Sequence, residues 1–169
     1  ERKFMINPKT PVLVGSGQIT QKIENFEDAK NPIEMMHEAS LLAIQDTGIE
    51  DLQNYIDSVA TVRFIFDSGA GARPPFSIYK NPPKSLADKL GINDAETFYG
   101  PTGGNTPQFL LNIFADRISS GQSEVVLLSG SECFSTMRKA SKSGKKTGWG
   151  DDVTGTRIDL GYEKQGGTE

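Results

Sequence analysis

The residues best suited to bind a ligand lie in one turn, Gly100-Pro-Thr-Gly-Gly104, and in the pair that follows it. Glycine lets a backbone approach a ligand closely, and the first N–H groups of a helix have no partner inside the helix. Such groups bind carboxylates, phosphates or a thioester oxygen. The candidate ligand-binding residues here are Gly103, Gly104, Asn105 and Thr106. Simple capping of the following helix by Asn105 or Thr106 is the alternative.

A second group of chemically useful side chains follows the apolar run Glu124-Val-Val-Leu-Leu-Ser-Gly130. Glu132 and Cys133 come directly after this run, where a strand of an α/β sheet would reach its ligand-binding edge. Both are therefore candidate ligand-binding residues. Cys133 is the only thiol, but no cation and no helix start stands beside it in the sequence to lower its pKa. We predict that Cys133 is a small, buried packing residue.

Two other motifs suggest chemistry only weakly. His37 is the only histidine, and no cluster of Cys or carboxylate residues at ligand spacing accompanies it, so no metal site and no general base is assigned. The Gly15-Ser-Gly17 turn lacks the third glycine and the immediate helix of a dinucleotide fingerprint. A structural turn is predicted there.

A concentrated positive charge follows Cys133. Five side chains carry this charge of +5, within a chain of net charge −4. They are Arg138, Lys139, Lys142, Lys145 and Lys146. The surrounding stretch, residues 137–148, contains Ser and Gly and almost no apolar residue, which predicts a solvated loop. The net negative charge of the chain argues against nucleic acid as the main partner.

The elements that must position these residues alternate along the chain. Apolar runs predict strands near 12–16, 58–65, 96–99 and 124–129. Helices are predicted over 32–47, with Asn31 as N-cap and Pro32 behind it, and over 106–120, with a shorter helix opening at Ser85. This βαβαβαβ order predicts an α/β fold with a mostly parallel sheet and helices on both faces.

Composition limits the remaining choices. A chain of 169 residues with 36% hydrophobic residues is long enough for one domain with its own core. A single cysteine, no signal-peptide pattern and no long apolar span are typical of a cytoplasmic protein without a membrane span.

The turn, the helix with Ile118-x-x-Gly121 and the strand Val125-Val-Leu-Leu-x-Gly130-x-Glu132 together resemble the N-terminal half of a thiolase. The similarity is strongest to the sterol-carrier-protein type and the bacterial thiolase-like branch, and it extends back to Pro11. It implies a thiolase-like N-terminal domain over residues 1–132 and the start of a cap-like loop segment over 133–169. It also implies that the C-terminal half is missing and that the chain is truncated.

By this resemblance the parent protein is an acyl-CoA acyltransferase of the acetyl-CoA acetyltransferase type, with a coenzyme A thioester as its substrate and no separate cofactor. The family spacing places the nucleophilic cysteine at Gly104, so this chain alone is predicted to be inactive. The five cations would hold the phosphates of coenzyme A. The alternatives are a non-catalytic protein that binds acyl-CoA or lipid, and a flavodoxin-like nucleotide-binding domain. A half domain would leave apolar surface bare, so a homo-oligomer is expected.

Overall fold

The computed structural model describes residues 7–67 and 79–161. Four α-helices and four β-strands alternate along these residues. In chain order they are α1 (Pro32–Asp46), β1 (Ser58–Thr61), α2 (Pro82–Lys89), β2 (Glu96–Tyr99), α3 (Thr106–Ser119), β3 (Val126–Ser129), α4 (Phe134–Ser143) and β4 (Ile158–Asp159). The predicted strands near 58–65, 96–99 and 124–129 and the helices over 32–47 and 106–120 are confirmed, although β1 is shorter than predicted.

The four strands form one parallel sheet in the order β3-β1-β2-β4. Adjacent residues of β1 face opposite sides of it. Val59 joins a core with residues of α1 and α2, whereas Ala60 packs in a second cluster with Phe98 and residues of α3. Helices therefore cover both faces, and the predicted α/β class is confirmed.

Helix α1 begins as the sequence predicts. The Asn31 side chain accepts the N–H of Glu34 at 2.9 Å, and the Glu34 carboxylate accepts the N–H of Asn31 at 2.8 Å. Helix α2 begins earlier than predicted, because Asn81 caps it and Pro82 is its first residue. Ser85 lies inside that helix, where its hydroxyl donates to the carbonyl of Asn81 at 3.0 Å.

The predicted strand over 12–16 is wrong. Val12, Leu13 and Val14 pair with no described strand, and their side chains are exposed. The segment packs on α1 through its glycines. A Cβ added at Gly17 would lie 2.1 Å from the carbonyl oxygen of Ala39. Contact with α1, rather than hydrogen bonds to a strand, therefore holds this apolar run in place. A groove of about 650 Å³ lies between the run and β3.

The predicted loop over 137–148 is also wrong, because most of it belongs to α4. Thr136 and Ala140, which lie four residues apart, are buried on one face of this helix. Lys139 also donates to the main-chain carbonyls of Ile23 and Glu24, which ties α4 to a distant segment. Tertiary contacts of this kind overcome a composition that is typical of loops. Residues 162–169 of the predicted cap segment lie outside the described residues.

None of the described helices combines the length and apolar character that crossing a membrane requires.

Candidate functional site

A cavity of about 750 Å³ lies where β1 and β3 end. Its wall combines residues that follow β1, the glycine turn before α3, the first two turns of α3 and the segment from β3 into α4. The lining residues used below are Arg63, Gly103, Gly104, Leu111, Glu132 and Phe134. The carboxyl ends of parallel strands thus meet at one pocket, as the order of elements predicts.

The glycine turn brings the start of α3 to this cavity. The N–H of Gly100 donates to the carbonyl of Thr61 at 2.8 Å, which fixes the turn beside the end of β1. Asn105 is the N-cap residue, but its side chain makes no capping hydrogen bond, and Gln108 bonds Asn112 instead. The spacing of three residues between Asn105 and Gln108 is that of a capping box, but no capping box forms. The first turn of α3 keeps polar groups available at the cavity.

The two adjacent glycines have different surroundings. A Cβ built at Gly103 would lie 2.8 Å from the Oδ1 atom of Asn105, so a side chain there would collide. A Cβ built at Gly104 meets no atom within 4 Å. Gly104 therefore leaves space at the cavity that a larger residue would occupy. Thr106 is buried and its N–H donates to the carbonyl of Gly103 at 3.1 Å, so it supports the turn.

Comparison with solved structures identifies the architecture. The chain matches the crystal structure of a monomeric SCP2-thiolase-like protein type 1 from Mycobacterium smegmatis, with probability 1.00, a TM-score of 0.63 and 32% sequence identity. The match covers 76% of this chain. The chain has an SCP2-thiolase-like fold. It spans 25% of the length of that structure. No protein-family model and no curated protein matches the sequence.

Within this thiolase-like fold, the cavity contains no nucleophile paired with a base among its described lining residues. None of them is a cysteine or a histidine. Of the serine hydroxyls, that of Ser131 already donates to the carbonyl of Pro32 at 3.0 Å. His37 is absent from the lining and lies on α1, where burial and then the charge of Lys89 lower its pKa.

Glu132 is the carboxylate of the cavity. Its Oε1 atom accepts the N–H of Ile65 at 3.3 Å, so the acid links the end of β3 to the segment after β1. Burial raises the pKa of the Glu132 carboxyl, and the hydrogen bond from Ile65 opposes that rise. The position predicted from sequence is therefore at the cavity, although the carboxylate is already used as an acceptor.

Cys133 is buried and lies outside the lining of the cavity. It is the N-cap residue of α4, which the sequence did not reveal, because the following residues resemble a loop. A helix start lowers the pKa of a thiol, but burial acts in the opposite direction. Here burial prevails, and together with the charge of Glu132 it raises the pKa of the Cys133 thiol to about 11.

The five cations after Cys133 divide into two groups. Lys139 donates to main-chain carbonyls, and Lys145 forms a 2.8 Å ion pair with Glu27. Both therefore hold α4 against the segment before α1. Arg138, Lys142 and Lys146 are exposed. Phe134, Arg138 and Lys142 are spaced four residues apart on α4, so they share one face of this helix. This face starts at the cavity, because Phe134 lines it.

Sequence reasoning missed several residues of the wall. Arg63 lies two residues after the end of β1, and the carboxyl-end rule for parallel sheets would have indicated it. Leu111 and Phe134 line the cavity with partly exposed apolar side chains, and no sequence signal separates them from core residues.

The Gly15-Ser-Gly17 turn has a structural role. The main-chain N–H of Ser16 donates to the Oδ2 atom of Asp46 at 2.9 Å. The turn therefore faces a carboxylate at the end of α1, which is unfavourable for a phosphate. Within the two described ranges, no group of three or more His, Cys, Asp or Glu side chains could hold a metal ion.

Proposed function

We propose that this chain forms the acyl-thioester-binding part of a thiolase-like protein, belonging to the acetyl-CoA acetyltransferase type but without its nucleophile. The observation that carries the proposal is the cavity at Gly104, where a helix start and an open space occur together without a thiol. The ligand is acyl-CoA or another coenzyme A thioester. The resemblance places the nucleophilic cysteine at this position.

The cavity suits the reactive end of such a ligand. The main-chain N–H groups of Gly104 and Gln108, which line the cavity, can donate to the thioester oxygen, whereas the N–H of Thr106 is bonded to Gly103 and Pro107 has none. Leu111 and Phe134 supply apolar wall for the beginning of the acyl group. With these features alone the chain binds a thioester and does not transfer its acyl group.

The exposed face of α4 suits the other end of the ligand. Arg138 and Lys142 follow Phe134 at successive helical turns, and an α-helix rises about 5.4 Å per turn. An elongated ligand that enters at Phe134 would therefore place its phosphates beside these cations. Lys146 lies three residues past the end of α4 and adds charge to this region. Lys139 and Lys145 are used within the fold and contribute less.

Calorimetric titration with coenzyme A and acetyl-CoA tests the proposal. Gly104→Phe fills the open space and should abolish acetyl-CoA binding, whereas Gly104→Ala should retain it. Absence of binding to either ligand, by this chain and by a longer parent protein, would refute the binding role. Turnover of acetoacetyl-CoA that is lost on changing a residue within 103–106 would refute the proposed inactivity.

The phosphate contact has its own variants. Arg138→Glu and Lys142→Glu should each weaken coenzyme A binding by about tenfold, because a hydrogen bond to a charged group contributes about 1.5–3 kcal/mol. Lys89→Glu makes the same charge change at the end of α2, outside the cavity and α4, and should leave binding unchanged. Equal weakening by all three variants would show a general charge effect instead.

A further inference from the structure

Arg63, which lines the cavity, connects the glycine turn to the sheet. Its Nε atom donates to the carbonyl of Gly100 at 3.2 Å. Its guanidinium forms an ion pair with Asp159 of β4, and the guanidinium carbon lies 4.1 Å from the centroid of the Tyr99 ring of β2. Burial raises the pKa of the Asp67 carboxyl, whereas a hydrogen bond from Tyr99 and the nearby charge of Arg63 lower it. Because its planar fork has partners on several sides, this side chain, which is only 8% exposed, is a rigid support for the turn.

Gly100 connects Arg63 to the start of α3. The N–H of Gly100 donates to the carbonyl of Thr61 at 2.8 Å, while its own carbonyl accepts from Arg63. A Cβ built at Gly100 would lie 3.2 Å from side-chain atoms of both Thr106 and Leu110, so Gly100 packs directly on the first turns of α3. A displacement of Gly100 would therefore move the part of the turn that lines the cavity.

We propose that Arg63 is a positioning residue that sets the preference of the cavity for a thioester over free coenzyme A. This inference rests on the proposed thioester binding. The thioester oxygen is present in acetyl-CoA and absent from coenzyme A, and its donors are main-chain N–H groups at the turn, such as that of Gly104. Loss of the Arg63 contact would displace these donors but would leave the cations of α4 in place for the phosphates. Only the ligand with a thioester would then lose affinity.

Arg157 offers a matched control, because it shares the surroundings of Arg63 but does not line the cavity. It forms an ion pair with the same Asp159, and its guanidinium carbon lies 5.0 Å from the centroid of the same Tyr99 ring. Its other hydrogen bond goes to the carbonyl of Lys80 at 2.7 Å, before α2. Removal of Arg157 therefore disturbs the same ion pairs and the same ring without removing the bond to Gly100.

Calorimetric titration of the complete chain with acetyl-CoA and with coenzyme A measures the ratio of the two Kd values. Arg63→Met should reduce the preference for acetyl-CoA by about two- to tenfold, the contribution of one hydrogen bond, and Arg157→Met should keep the preference of the unmodified chain. Hydrogen exchange at the Gly100 amide should become at least about tenfold faster in Arg63→Met and stay the same in Arg157→Met. A preference that folded Arg63→Met retains, or that Arg157→Met loses equally, would overturn the role of Arg63.

Gly100→Ala is a second variant that removes no charge and decides the question if Arg63→Met does not fold. Its methyl group must push Thr106 and Leu110 away by a few tenths of an ångström, so the same loss of preference is expected. A retained preference would show that the position of the turn does not set it, which would overturn the inference. Failure of the unmodified chain to bind either ligand would refute the thioester-binding proposal itself, and exchange at the Gly100 amide would then decide whether Arg63 holds the turn.

Discussion

Single residues in this chain are controlled by their surroundings more than by their type. Cys133 is the only thiol and begins a helix, yet burial makes it a poor nucleophile. Gly104 directly precedes the N-cap residue of α3 at an open cavity, but it has no side chain to react. The position suited to a nucleophile and the residue able to be one are therefore separate in this protein.

Cys133 should react slowly in the folded protein. Iodoacetamide reacts with the thiolate, and a pKa of about 11 leaves little thiolate at neutral pH. We expect labelling at least about tenfold slower in the native protein than in the same protein unfolded in urea. Rapid stoichiometric labelling of the native protein that coenzyme A blocks would contradict this.

The same pKa shift predicts how stability changes with pH. The unfolded thiol has the ordinary pKa of 9.0, whereas burial raises the pKa of the folded thiol to about 11. The unfolded state therefore binds fewer protons in this range, and the free energy of unfolding should fall as pH rises from 9.0 towards 11. Urea denaturation of the unmodified chain and of Cys133→Ala should show a smaller decrease for the variant. Equal decreases would assign the effect to other groups.

At the scale of elements, three described helices have an asparagine as N-cap residue, and those of α1 and α3 cap differently. Asn31 makes both hydrogen bonds of a capping box before α1, whereas Asn105 makes no side-chain capping bond before α3. Sequence spacing is the same in both cases, since Glu34 and Gln108 each follow three residues after their asparagine. The difference lies in the backbone, because Asn31 has the extended angles of an N-cap residue (φ −74°, ψ 166°), whereas Asn105 is already helical (φ −91°, ψ −7°).

Asn31→Ala should lower the free energy of unfolding by about 1 kcal/mol, because the main-chain N–H of Glu34 loses its acceptor. Asn105→Ala is the matched control and should cost only a fraction of that amount, because no such bond is lost. Chemical denaturation monitored by circular dichroism measures both. A loss for Asn105→Ala equal to that for Asn31→Ala would contradict the difference in capping.

At the scale of the whole molecule, the sequence predicts self-association. Val12, Leu13 and Val14 are 54–82% exposed, and Val12 and Leu13 line the groove beside β3. The structural neighbour is described as monomeric, and that description belongs to the neighbour. Exposed apolar surface of this kind favours association in water, so a homo-oligomer stays a prediction.

Light scattering at micromolar concentration should therefore show a dimer or larger species of the unmodified chain. Leu13→Ser should reduce the associated fraction, because it removes the most exposed large side chain of the groove. Tyr55→Ser changes another exposed apolar residue that lies outside the groove and should have no effect. A monodisperse monomer at every concentration would show that this surface does not drive association.

The sequence by itself determined the parts of this protein that local patterns encode. The capping box of α1, the apolar runs of β1 to β3 and the alternation of strands with helices all follow from neighbours in the chain, and they lead to the α/β fold. The sequence also predicted that the glycine turn lies close to the end of β3, because parallel strands bring their carboxyl ends to one edge of a sheet.

Only the tertiary structure decided the rest, because it depends on residues far apart in the chain. The sequence of residues 12–14 is typical of a strand, but Gly17, which has no side chain, lets this run pack closely against α1. Residues of α4 resemble a loop, but burial of Ala140 and the contacts of Lys139 make them a helix. In the folded chain Cys133 lies at the start of a helix, and burial at that position makes its thiol unreactive. Hydrophobic burial and long-range hydrogen bonds thus override local preference wherever that preference is weak.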